Sequence, residues 1–166
     1  MPQPITPEAW VSIRRHFRRS FLSNLHVAVA TAGSDGRPDV TPIGSLMLNA
    51  DGTGVFFELF TGSIGRNAAI NPQVCVMAVN SGKWFWLGSL LRGVFTTPPM
   101  VKLYGTLGVR RPATPQELAR FRKRTSFIKY TPGGKRLWGN LHFVREIHFH
   151  DYEPAKVGAM TSTSRF

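Results

Sequence analysis

The chain has 166 residues, 42% of them hydrophobic, which is enough for one domain with a real core and excludes global disorder. Lys and Arg number 21 against 9 Asp and Glu, a formal charge of +12 that favours anionic partners: phosphates, nucleic acid or anionic lipid. The single cysteine, Cys75, excludes an internal disulfide framework and a multi-Cys zinc site, and points to a reducing, cytoplasmic setting.

The first ten residues lack the apolar segment of a signal peptide. The most apolar loop, residues 84–95, is far shorter than the ~20 residues of a membrane span and contains Arg92. No nucleic-acid-binding signature accompanies the charge, so nucleic acid is not the expected partner. The densest basic patches, Arg14-Arg15-His16-Phe17-Arg18-Arg19 and residues 120–124, read as solvated helix faces.

In chain order, Thr6-Pro7 is a helix start, a hydroxyl N-cap followed by Pro in the first turn. Ala9, Trp10, Ile13, Phe17 and Phe21 recur at helical spacing, so an N-terminal helix is expected over about 7–22, lying as a lid on the main fold. Residues 26–31 form a small-residue strand, and Asp35-Gly36 signals a hairpin turn. Residues 38–48 are the returning strand, with Pro42 and Gly44 forcing a bulge, a bend or an edge position in its middle. A turn at 49–52 leads to a third strand, 54–60, so the three read as an antiparallel meander.

Next come a Gly-rich turn over 61–66, a short helical stretch over 67–71 and a strand over 73–80. Residues 81–99 are apolar yet punctuated by glycines. They read as an ordered flap or interface element, with a helical turn near 87–92, or as packing against the chain's own fold. Residues 100–110 alternate as a half-buried strand. Thr114-Pro115-Gln116-Glu117 is a capping box, so a helix runs over about 115–125. Residues 126–140 read as an irregular loop, 141–152 as a final strand and 153–166 as a loose tail. The sum is a single mainly β domain over 1–166, with a barrel over about 24–152. About six antiparallel strands with flanking helices most easily remove their edges by closing.

The order of segments, HVAVAT, SDGRP, DVTPIG, VFFELFT, GRNAAINPQVCVMAV and VKLYGTLGV before a helix, resembles the pyridoxamine 5'-phosphate oxidase-like, FMN-binding split-barrel family over residues 24–125. The resemblance implies a six-stranded antiparallel split β-barrel and a homodimer with two FMN sites in its interface. It implies an FMN-dependent oxidoreductase acting on a small-molecule substrate. Relatives using F420, and non-catalytic flavin- or haem-binding proteins, supply the alternatives, as does a barrel that has lost its cofactor. Carried over by position, Thr41, Pro42, Ile43 and Gly44 would lie along the flavin. Phe60, Thr61, Gly62 and Ser63 would approach the ribityl chain and phosphate, with Arg66 and Asn67 beside them. The chain departs from the pattern at Ile64, where relatives usually carry a cation, which leaves Arg66, Lys83 or Lys102 to take that part.

Backbone N–H groups of a Gly-rich helix start suit a phosphate, and an Arg can clamp it with two hydrogen bonds. Lys83, Trp84 and Trp86 read as an aromatic wall for a planar ring or as flap packing. His142, Val144, Glu146, His148 and His150 share one face of the last strand, read as a polar outer face opposite Leu141, Phe143 and Ile147, with a haem or metal site or a pocket lining as the alternatives. Tyr130, Lys135, Arg136 and Trp138 read as solvated loop residues.

Overall fold

The computed structural model describes residues 1–59, 61–126, 130–138, 141–162 and 164. The elements run β1 (Gln3–Pro4), α1 (Pro7–Asn24), β2 (Val27–Ala32), β3 (Pro38–Ile43), β4 (Met47–Leu48), β5 (Thr53–Phe57) and α2 (Gly62–Ala68). They continue with β6 (Gln73–Val79), α3 (Lys83–Arg92), β7 (Met100–Pro112), α4 (Pro115–Arg124), α5 (Pro132–Trp138), β8 (Phe143–Pro154) and a 3-10 turn at Gly158–Thr161. Among the described residues no helix is long and apolar enough to cross a membrane.

One antiparallel sheet has the order β3-β2-β6-β7-β8-β5-β4, with β1 added to β8. β1 and β4 are two residues each, so six longer strands carry the sheet. β3 and β4 lie at opposite ends of that order, yet only residues 44–46 separate them in the chain. The step from Ile43 to Met47 spans at most about 14 Å of extended chain. The sheet must therefore roll until its two ends meet at a seam, which makes it a split barrel.

The seam corrects the expected meander. The strand expected over 38–48 breaks at 44–46, and β5 pairs with β8 and β4, not with β3. Pro42 has no N–H, Gly44 has no side chain to pack, and the carbonyls of Gly44 and Leu46 are taken by the Arg124 guanidinium at 2.6 Å each. The Arg-rich face of α4 is thus only partly solvated. Arg120 donates to Leu48 O (2.6 Å) and Asn49 Oδ1 (2.8 Å), while Arg124 lies over the rings of Phe21 and Phe121.

The barrel interior holds Val27, Val29, Leu46, Phe56, Ile64, Val74, Val76, Leu103 and Ile147, and α1 adds Trp10, Ile13 and Phe17. Polar bonds help seat α1: Trp10 Nε1 donates to Asn49 O (2.9 Å), and His16 Nε2 lies 3.1 Å from Ala78 O. A second cluster lies outside the barrel wall, where α4 covers Val55, Phe57 and Val144 with Phe121. Both faces of β5 are therefore buried, which explains its unbroken Val55-Phe56-Phe57 run.

The same covering corrects the reading of the last strand. Val144 pairs with Phe57 and packs under α4 beside Leu141, although Leu141 was expected on the opposite face. Phe143 is 38% exposed, with the Arg110 guanidinium 3.5 Å above its ring centroid. The tail, expected to be loose from 153, instead continues β8 to Pro154 and then docks, Phe95 N–H donating to Met160 O (2.8 Å). Residues 132–138, expected as loop, form α5.

Candidate functional site

β5 ends at Phe57, and the chain turns into α2 at Thr61, whose side chain caps nothing. The helix begins earlier than expected, at Gly62, and ends at Ala68. Its inward residue is Ile64, fully buried in the barrel core. The position at which relatives usually carry a cation therefore serves packing here. A Lys there would leave its charge among Val29, Phe56 and Val76.

The outward side of α2 differs. Gly62 and Arg66 are exposed and Ser63 is half-buried. A Cβ placed on Gly62 would lie 3.4 Å from Arg66 Nη1, so the guanidinium folds back over the first turn of its own helix. None of the described ion pairs involves Arg66. Thr61 is 4% exposed, and its Oγ1 has no hydrogen-bond partner among the described residues. A buried hydroxyl left without a partner costs roughly 1–3 kcal/mol.

Asn67 docks the helix, its Nδ2–H donating to Thr31 Oγ1 at 2.9 Å. Thr31 pairs with Asp39 across the β2–β3 hairpin, and Thr41, two residues on, shares that face and donates to Asp39 Oδ2 (3.4 Å). α2 and the Thr41 side of β3 are thus neighbours. The other residues of the 41–44 run diverge. Pro42 points to the opposite, exposed face, Ile43 enters the core, and Gly44 lies in the bend held by Arg124. What they share is backbone, because β3 pairs only with β2 and its other edge is open.

Lys83 and Trp84 lie elsewhere. They open α3, just beyond the end of β6, whereas α2 sits on Thr31. The register of β2 on β6 puts these features at opposite ends of the strands, about 13 Å apart over four residues of β2. Lys102, the other expected reserve cation, pairs with Glu153 at 3.6 Å on β7. Phe85 and Trp86 pack on Phe95, and Trp86 Nε1 donates to Asn80 O (2.7 Å), as in the flap-packing reading. Phe60 and the side chains of Lys135 and Trp138 lie outside the described residues. Tyr130 and Arg136 are exposed.

A partly buried ion network beside α2 escaped the sequence reading. Glu58 Oε1 lies 3.0 Å from where a Gly65 Cβ would stand. Arg145 reaches that oxygen through Nη2 (3.1 Å), and Arg110 Nε lies 3.3 Å from Oε2. Two guanidiniums against one carboxylate leave this side of α2 positive. The signal was available: Glu58 is the only acid between Asp51 and Glu117. Among the described residues no group of three or more His, Cys, Asp or Glu is placed to hold a metal. His148 and His150 are exposed and face Glu146 and Asp151.

The chain matches the family model described as pyridoxamine 5'-phosphate oxidase over residues 15–142. No curated protein matches it. Solved structures share its fold, among them the following three. An FMN-binding protein from Syntrophomonas wolfei is 12% identical, with a TM-score of 0.58 over 91% of this chain and 95% of that one. An F420 reductase is 14% identical, with a TM-score of 0.54 over 82% and 95%. HutZ, a haem storage protein from Vibrio cholerae, is 15% identical, with a TM-score of 0.52 over 92% of each chain.

Proposed function

Because the chain belongs to the pyridoxamine 5'-phosphate oxidase family, we propose that it is an FMN-dependent oxidoreductase acting on a small molecule as a homodimer. The observation that carries the reading is the buried, unpartnered Thr61 Oγ1 at the start of α2, under a guanidinium free of carboxylates. A phosphate supplies what both groups lack. Thr61 and the Gly62 and Ser63 N–H groups would donate to its oxygens, and Arg66 would clamp it. The buried Ile64 leaves Arg66 as the cation of this turn. Glu58, bound by Arg145 and Arg110, would not repel the anion.

The outer edge of β3 and the bend after it, residues 41–44, would meet the rim of the isoalloxazine through backbone groups other than Gly44 O, which Arg124 holds. Lys83 and Trp84 fall outside this cradle. FMN, when bound, supplies the hydride or electron chemistry. The chain's part is to fix the phosphate and the ring edge.

An apolar sheet face supports the homodimer. Val40, Pro42, Ala28, Ala30, Met77 and Cys75 stand side by side across β3, β2 and β6, none of them fully buried. A flat face of small apolar side chains suits self-complementary contact.

The test is an FMN titration of the purified protein followed by flavin absorption. A colourless protein that takes up no FMN at micromolar concentration refutes the reading. F420 or haem uptake under the same conditions would replace it with one of those cofactors. Arg66→Ala should weaken FMN binding by roughly 10- to 100-fold, the value of one or two charge-assisted hydrogen bonds. Unchanged affinity would place the phosphate elsewhere.

A further inference from the structure

The outward face of α3 is apolar. Trp84, Leu87 and Leu91 recur at helical spacing, and Trp84 is 84% and Leu91 81% exposed. The inward face already has its partners, Phe85 and Trp86 on Phe95, so the exposed set is not waiting to enter this core. The C-terminal end of α1 adjoins it. Ser81 N–H donates to Ser23 Oγ (3.0 Å), and Asn24 Nδ2–H donates to Val79 O. That brings Leu22 and Leu25, 81% and 65% exposed, beside the start of α3. Leu22 continues an outward stripe of α1 through Arg15 and Arg18. Lys83 and Arg92 close the two ends of α3. Residues 59–116, which contain α3, hold no acid beyond the ion-paired Glu58 just before them, and residues 9–34 hold none either, so the one acid of α1 is Glu8 in its first turn, at the end away from α3.

We infer that this face docks on an anionic lipid bilayer. Large apolar side chains rimmed by cations are what an interface of acyl chains and negative headgroups recognises. Leucines and a Trp ring enter the boundary, while Lys and Arg extend along it to the phosphates. α3 is ten residues, about 15 Å long, so it lies in the headgroup layer and does not cross it. A second copy is a poor occupant, since self-docking would set the same basic rims against each other, with Glu8 at the far end of α1 as the one acid of the two helices. The apolar face of β2, β3 and β6 is free to serve a dimer instead. Nucleic acid is a poor occupant as well, because base stacking needs aromatic planes, and this face offers one ring among four leucines. The inference accounts for the +12 charge, which the cofactor cradle alone does not require, and it is independent of the flavin assignment.

The test is co-sedimentation of the full chain with phosphatidylcholine vesicles, with and without phosphatidylglycerol. Binding should require phosphatidylglycerol and weaken in high salt. Leu87→Gln with Leu91→Gln should lower it at least about tenfold, a fraction of what full burial of two leucines provides. Arg15→Ala and Arg18→Ala should each lower it about fivefold, the equivalent of ~1 kcal/mol per surface cation. All four positions are exposed, so the variants should keep the wild-type melting temperature. The proposal is overturned if phosphatidylglycerol vesicles are not bound, or if the double leucine variant binds them as well as wild type. It is also overturned if that variant turns a dimer into a monomer in sedimentation, or if the chain binds single-stranded RNA and ignores vesicles.

Discussion

Arg124 is a half-buried cation whose described polar partners are two carbonyls and no acid, and removing it tests how the seam is held. Its Nη1 and Nη2 donate to Leu46 O and Gly44 O at 2.6 Å each, and its guanidinium lies 4.7 and 5.1 Å from the Phe21 and Phe121 centroids. Burial lowers its pKa to about 10, so it stays charged at neutral pH. Arg124→Met keeps most of the apolar stem but removes the guanidinium from both rings and leaves two carbonyls without donors. Each orphaned carbonyl costs roughly 1–3 kcal/mol, and water reaching the bend recovers part of that, so a net loss of about 2–3 kcal/mol is expected. For a chain of this size that corresponds to a melting temperature about 5–10 °C lower. Arg124→Lys should recover little, since an ammonium cannot fork to two carbonyls on a planar frame. The assay is urea denaturation with thermal melting. A loss under about 0.5 kcal/mol, or full recovery by Lys, would show that the bend holds itself and that the clamp is incidental.

Thr61→Val removes the unpartnered hydroxyl at nearly constant volume; FMN affinity should fall about tenfold while apo stability holds or rises slightly. A loss of apo stability would mean that the hydroxyl serves the fold. Phe121→Ala should cost about 3–5 kcal/mol, because this ring fills the cluster under α4, 5.1 Å from Phe57. A urea melt showing less than ~1 kcal/mol would mean that α4 is a loose cover. His16 is buried, and desolvation holds its pKa below the usual value. The unfolded chain therefore takes up this proton more readily than the native state, and stability should fall as pH drops below about 6.5. His16→Gln should flatten that limb of the stability profile, and an unchanged slope would assign it to other groups.

Much of the local structure was legible. Thr6-Pro7 does start α1, with Ala9 N–H donating to Thr6 Oγ1 (3.2 Å), and the Thr114–Glu117 capping box forms both of its bonds. Asp35-Gly36 does turn a hairpin, with Gly36 at φ 73°. α3 was only partly legible because both its faces are apolar, one against Phe95 and one outward, so KWFWLGSLLR has no polar side to set a period. α5 was hidden by two glycines in its first turn.

The sequence by itself determined where helices start, where the hairpin turns and which family's order the segments follow. These signals act over two to four residues, the reach of a cap, a turn or one side-chain period. Only the tertiary structure decided which strands pair and which way each side chain of the candidate site points. β5 joins β8 because the chain bends at 44–46, and that bend is held by a guanidinium about 80 residues away in the chain. Ile64 and Arg66 are two residues apart on one short helix, yet one packs in the core and the other folds over the helix start. Which is which depends on the side of α2 that Asn67 presses against Thr31 on β2, a contact that spans 36 residues of sequence and carries no local signature.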